Sequence, residues 1–183
     1  MPIKFIATCL TPQQKQACMS LGIEVMQDYA KSYGEITPGC VTDFSIHCFN
    51  SVTLGVLKDL GVMRATLHPE LNLAQIRDIN KCIQTEVVIY GKIPLMKMGN
   101  PITGSPITDR TGASFFAHRD MLYNSVPIFM ADKLDEVEKT KITHGRLIFT
   151  TETADEVRGI VKAYMHRKML NVEYTRGKFY SKV

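Results

Sequence analysis

The chain has no tryptophan and no apolar run near the roughly 18 to 20 residues that a membrane-crossing helix needs. Its start, Met1-Pro2-Ile3-Lys4, lacks the charged-then-apolar layout of a signal peptide, so the expectation is a cytoplasmic protein with no membrane partner. The five cysteines, Cys9, Cys18, Cys40, Cys48 and Cys82, are odd in number, and none is spaced as the paired ligands of a zinc or iron–sulfur site. They read as reduced thiols, mostly buried. His-Glu-x-x-His and Gly-x-Ser-x-Gly are absent, and no Gly-rich phosphate loop leads into a helix, so no nucleotide cofactor is assigned. The net charge of +4 is too small to demand a polyanionic partner.

What is present is an ordinary globular composition, 45% hydrophobic and 22% charged over 183 residues, which predicts one domain spanning 1–183. Short β-branched or aromatic runs alternate with amphipathic helical patterns about every 20 residues, the rhythm of βα units and a parallel sheet. Ile3 to Thr8, Ile23 to Gln27, Val41 to Phe49, Arg64 to Leu67, Thr85 to Tyr90 and Arg146 to Thr150 read as strands. Thr11-Pro12-Gln13-Gln14, Asn72 with Gln75, and Thr153 with Glu156 read as capped helix starts, and Asn50-Ser51 caps the helix that ends at Gly61. Asp28 to Gly39 reads as a long loop or a partly helical connection, 99–120 as a loop or hairpin insertion rich in Gly, Pro, Thr and Ser, and 168–183 as a basic C-terminal tail.

The fold class expected is α/β, an incomplete or shortened (β/α) barrel with a mainly parallel sheet, because the chain is shorter than the roughly 250 residues of a full barrel. A protein partner, a second copy or a missing segment is expected to cover the open sheet edge.

The most informative stretch is Tyr90-Gly91-Lys92-Ile93-Pro94-Leu95-Met96, where an apolar strand runs into a polar turn. It resembles the Tyr-Gly-Arg-Leu-Pro-Leu-Met signature of the collagenase-like peptidase family U-32. Asp43-Phe44-Ser45-Ile46-His47-Cys48-Phe49-Asn50-Ser51, Thr66-Leu67-His68-Pro69-Glu70-Leu71-Asn72-Leu73 and Asp109-Arg110-Thr111-Gly112 are similar to further motifs of that family. So are Tyr123-Asn124-Ser125-Val126-Pro127 and Tyr174-Thr175-Arg176-Gly177-Lys178-Phe179-Tyr180. The matches are collinear over residues 41–183, and the extra βα units the family carries before that point are missing. The resemblance implies a barrel-like fold, a nominal hydrolase or protease activity at a pocket on the carboxyl ends of the strands, and kinship with hydroxylation factors for RNA bases or quinones that hold a four-iron cluster. Met98-Gly99-Asn100 stands where a cluster cysteine usually follows, and no cysteine lies beyond Cys82, so an iron–sulfur cluster is not expected.

Candidate catalytic residues lie on or just past predicted strands: His47 on the Val41 to Phe49 strand, His68 with Glu70 after the next, and Lys92 after Tyr90. A Glu beside a His can perform acid–base work or share a metal, and Lys92 can hold an anionic substrate. Candidate binding residues are Asp43, Asn50, Tyr90, Arg110, Arg176 and Lys178, with Thr150 and Glu152 after the last strand. Asn50 equally suits a helix cap, Glu70 a helix start, and His47 a hydrogen-bonded strand face. No metal site is assigned. The tail interleaves Lys162, Arg167, Lys168, Arg176, Lys178 and Lys182 with Tyr164, Tyr174, Phe179 and Tyr180, a pattern that suits a solvated helix end followed by rings packed on the barrel, or else single-stranded RNA.

Overall fold

Periodicity and capping place the first elements where the chain folds them. In the computed structural model, which describes residues 2–181 apart from 101–106, 111, 113 and 119, β1 (Lys4–Cys9) is followed by α1 (Pro12–Ser20). Thr11 accepts from the Gln14 amide, and the Gln14 side chain returns to the Thr11 amide, so two orphan donors of the helix start are satisfied at once. β2 (Glu24–Val25), β3 (Tyr29–Ala30) and β4 (Val41–Thr42) are short. Then come α2 (Ser51–Asp59), β5 (Arg64–Thr66), α3 (Leu73–Asp78) and β6 (Gln84–Gly91). Four strands follow, β7 (Pro94–Lys97), β8 (Ile107–Thr108), β9 (Ser114–His118) and β10 (Met121–Tyr123), before the short β11 (Ile128–Phe129). The chain ends with α4 (Leu134–Lys139), β12 (His144–Phe149) and α5 (Ala154–Met165).

The main sheet has the order β2-β1-β12-β6-β5-β4-β3, and every one of those pairings is parallel. It curls into a half-barrel, the shortened barrel-like α/β fold that the sequence predicts. β11 adds antiparallel to the end of β6. The two outer strands, β2 and β3, are consecutive in the chain and joined only by Met26-Gln27-Asp28, a link that spans about 14 Å at most. One extended run therefore pairs first with β1 and then with β4, drawing the two sheet edges toward each other. This continuous run narrows the open edge for which another chain or a missing segment was expected.

Alternate residues face opposite sides of the sheet. Ala7, Cys9, Ala65, Leu67, Val87, Ile89, Leu147 and Phe149 pack with Leu54, Leu57, Ile76, Val137, Val157, Val161 and Tyr164 of the helices in one buried cluster. The other face of the sheet lines the inside of the curl.

One local expectation is corrected. Val41 to Phe49 is not one strand: β4 stops at Thr42, Phe44–Ile46 is a 3-10 turn, and His47 is left-handed at φ 57°. The period-two pattern misleads because Asp43 is drawn inward, its carboxylate held by Arg146 and its amide donating to Ala30 O at 2.8 Å. Residues 94–97 form β7, in a separate antiparallel sheet of order β7-β10-β9-β8, so the 99–120 insertion is partly hairpin.

The tail folds back on the barrel. The Phe129 amide donates to Thr175 O at 3.0 Å, the Leu73 amide to Phe179 O at 3.0 Å, and Phe179 is buried.

Candidate functional site at the strand ends

β5 and β6 determine where the candidate groups come together. Leaving β5, the Leu67 amide donates to Glu86 O and the His68 amide to Cys48 O, at 2.8 and 3.0 Å, which fixes the backbone of His68-Pro69-Glu70 against the turn that carries His47. Past β6, Gly91 has φ 124°, and a Cβ there would lie 2.2 Å from Ile148 O. Only glycine lets β6 pass this close to β12, turn through Ile93-Pro94 and return as β7. The cavity left between the two sheets, about 560 Å³, is lined by Phe44, His47, His68, Glu70, Met96 and Met121 among others.

Within it the rings of Phe49, His68 and His47 form a stack, with centroids 4.2 Å apart for Phe49–His68 and 5.2 Å for His47–His68. His68 Nδ1 accepts the Glu70 amide at 3.3 Å, which assigns the proton of the neutral ring to Nε2. Burial holds the His68 pKa below its ordinary value, Glu70 opposes that shift, and His47 adds to it. The lowered pKa favours the neutral ring, which presents Nε2–H as a hydrogen-bond donor. Glu70 and His47 are exposed.

Inside the curl, beneath this cleft, lies a charged layer that strand patterning gave no reason to group. Arg146 donates to Asp43 Oδ1 at 2.5 Å and to Thr8 Oγ1 at 2.9 Å, and its guanidinium sits 3.8 Å from the Tyr29 ring centroid and 5.7 Å from that of Phe44. One layer down, Arg64 pairs with Glu86 at 3.1 Å, and Thr66 Oγ1 donates to Glu86 at 3.0 Å. Burial pushes the Glu86 carboxyl above its usual range, against the pull of Arg146 and Arg64, and burial likewise raises Tyr29. The available signal was a charge inside each of three apolar strands: Arg64-Ala-Thr, Thr85-Glu86-Val and Gly145-Arg146-Leu.

The structure brings His47, His68 and Glu70 together, with Asp43 below them, and places the other candidates elsewhere. A register shift between β6 and β12 sets Tyr90 beside Leu147 on the helix side, where its hydroxyl donates to Glu152 Oε1 at 2.9 Å. Lys92 Nζ lies 5.8 Å from the Phe116 ring. Asn50 caps α2, accepting from the Thr53 amide at 2.9 Å. Arg110 is exposed in the β8–β9 turn and Lys178 is exposed in the tail. Arg176 is held by both Asp132 oxygens, at 2.7 and 2.9 Å, and by Phe129 O at 2.7 Å.

The cysteines do not fit the iron–sulfur cluster that the family resemblance implies. Cys9 and Cys18 face each other at 3.8 Å between sulfurs, and among the described residues no three His, Cys, Asp or Glu side chains are placed to hold a metal ion. Among the same residues, no helix is long and apolar enough to cross a membrane. Comparison of the chain with protein-family models, curated proteins and solved structures finds no match.

Proposed function

We propose that the chain is a protein of the U-32 type whose strand-end cleft binds extended polypeptide, and that it acts by recognition rather than by cleaving the peptide bond. The observation that carries this reading is the position of β7. Among the described residues β7 pairs only with β10, and its other edge borders the cleft. The Met98 amide donates to Asp120 O, so the alternation of an antiparallel ladder turns the Lys97 amide outward. An added strand finds main-chain partners along that edge, apolar contact with the exposed Leu95 and Met96, and polar contacts at His68 Nε2–H and the Glu70 carboxylate. The described cleft residues include no nucleophile hydrogen-bonded to a base, which is the arrangement that covalent proteolysis uses.

The test is fluorescence anisotropy with labelled gelatin peptides, followed by mass spectrometry of the same samples. Saturable binding is expected, with the peptides recovered intact. Lys97→Pro removes the outward amide and should weaken binding at least about 10-fold, whereas Lys97→Ala should bind as the parent does, because its ion pair with Asp120 is exposed. Equal affinity of the two variants would reject strand addition. Cleaved peptide would restore the hydrolase reading.

A further inference from the structure

The opposite end of the half-barrel has its own cavity, about 320 Å³, at the first residues of β1, β6 and β12. Lys4, Gln84, Glu138, Lys141, Thr143 and His144 line it. Lys4 pairs in register with His144, and His144 with Glu86, so the Lys4 and His144 side chains share the inner face of the curl and sit at its lower mouth. We propose that this mouth is a binding site for a small phosphate-class dianion, held by the ammonium groups of Lys4 and Lys141 and by the His144 ring.

Charge supports the assignment first. Among the described residues neither Lys4 nor Lys141 has an ion-pair partner. The one acid of the cavity, Glu138, is already occupied: it pairs with Arg167 at 2.8 Å and accepts the Ile3 amide at 3.1 Å. Arg64, from the layer above, has its own partner in Glu86. The cavity therefore has two ammonium groups outside any ion pair among the described residues, beside one carboxylate that Arg167 already neutralises.

Backbone conformation supplies a second, independent reason. Lys141 follows α4 in the left-handed conformation, φ 63°, at the helix-end position where glycine is least strained. A lysine kept at such a position puts an ammonium on the rim of the cavity at some cost to the backbone.

Hydrogen bonding orients the ring. Thr143 Oγ1 donates its proton to Thr85 O at 2.8 Å, so the 2.8 Å contact with His144 Nδ1 is donated by the ring, and Nε2 of the neutral imidazole is left as an acceptor. The charged groups around His144 are Lys4 from β1, Arg64 from β5 and its register partner Glu86 from β6, with Glu138 and Lys141, from α4 and its exit, lining the same cavity. Burial, then Arg64, then Lys4 hold its pKa down to about 4. A bound dianion reverses the sign of that field, and Nε2 can accept the proton of a singly protonated phosphate or become charged itself.

The site lies at the far end of the strands from the peptide cleft and does not depend on that reading. Its test follows the His144 Cε1–H resonance of the whole chain by NMR while inorganic phosphate is added at constant ionic strength. A saturable shift and an upward move of the His144 titration midpoint are expected. Lys4→Gln and Lys141→Gln should each weaken phosphate binding at least about 5-fold. Lys141→Gly should lose binding equally while raising the thermal midpoint, because it removes backbone strain together with the charge. The proposal is overturned by the absence of a saturable shift, by an equal shift with chloride, or by parental affinity in Lys141→Gly. Malonate binding as tightly as phosphate would reject the phosphate assignment.

Discussion

The two faces of the curled sheet obey different rules. The outer face, with Ala7, Ala65, Val87, Ile89, Leu147 and Phe149, is apolar and is held against the helices mainly by contact area. The inner face is equally buried, yet it carries Arg64, Glu86, Arg146 and Asp43. An apolar layer is stable with any partners of the right volume. A buried charge is tolerated only while its counter-charge stays in place, and the pair as a whole adds little to stability over an apolar replacement. Such pairs on the inner face, between the cleft at one end and the cationic mouth at the other, fit a surface kept for shape and field rather than for stability.

The largest effect that tests this contrast is expected from Glu86→Ala. It leaves Arg64 buried with its charge unopposed and should cost about 3–5 kcal/mol in urea unfolding. Replacing Arg64 and Glu86 together by methionine should be near neutral or stabilising, by up to a few kcal/mol. A single-variant cost under about 1 kcal/mol would mean that water reaches the inner face, and the distinction between the two faces would fail.

A smaller effect probes the outer face through one of its few polar groups. The Tyr164 hydroxyl donates to Ile89 O at 2.6 Å and accepts the Met130 amide at 2.8 Å, tying α5 to β6 and to the turn after β11. Tyr164→Phe keeps the ring contacts with Phe5, Tyr90 and Phe129 but strands both backbone groups in an apolar layer. A loss of about 1–3 kcal/mol is expected from thermal or denaturant melts. A loss as large as that from Glu86→Ala would erase the difference between the faces.

The same contrast explains how much could be read from the sequence. Helix starts were legible because their causes are local: Thr11 with Gln14, Asn72 with Gln75 and Thr153 with Glu156 all form reciprocal caps. The parallel α/β rhythm was legible because the outer face imposes apolar runs on β1, β6 and β12. The inner pairs were not, since Asp43 meets Arg146 across 103 residues and nothing near either residue announces the other. The cleft was half legible. His68 and Glu70 follow β5, but His47, expected on a strand, sits in a turn that depends on Asp43 being pulled inward, and β7, which closes the cleft, pairs through β10 across the insertion. Tyr90 was legible as a strand-end residue, but its face was not, because the register shift with β12 that turns it toward the helices is a long-range feature.

At neutral pH the smallest effect should come from His144, and its pH dependence sharpens the contrast further. The outer-face cluster holds no charged side chain, whereas His144 on the inner face has its pKa lowered from 6.5 to about 4 by burial, Arg64 and Lys4. Between those two values the unfolded chain binds more protons than the folded one. Stability from this group is therefore complete above about pH 6.5 and is lost as the pH falls toward 4. At pH 7, His144→Gln should change stability by about 1 kcal/mol or less, the cost of the ring's contacts and its bond to Thr143, because a neutral ring is exchanged for a neutral amide. At pH 4.5 the variant should be the more stable of the two, since its unfolded state no longer gains a proton that the fold excludes. Urea melts of both proteins at the two pH values measure the difference. Parallel curves at both would show that the ring titrates normally, and that Lys4 and Arg64 impose no field on the lower mouth.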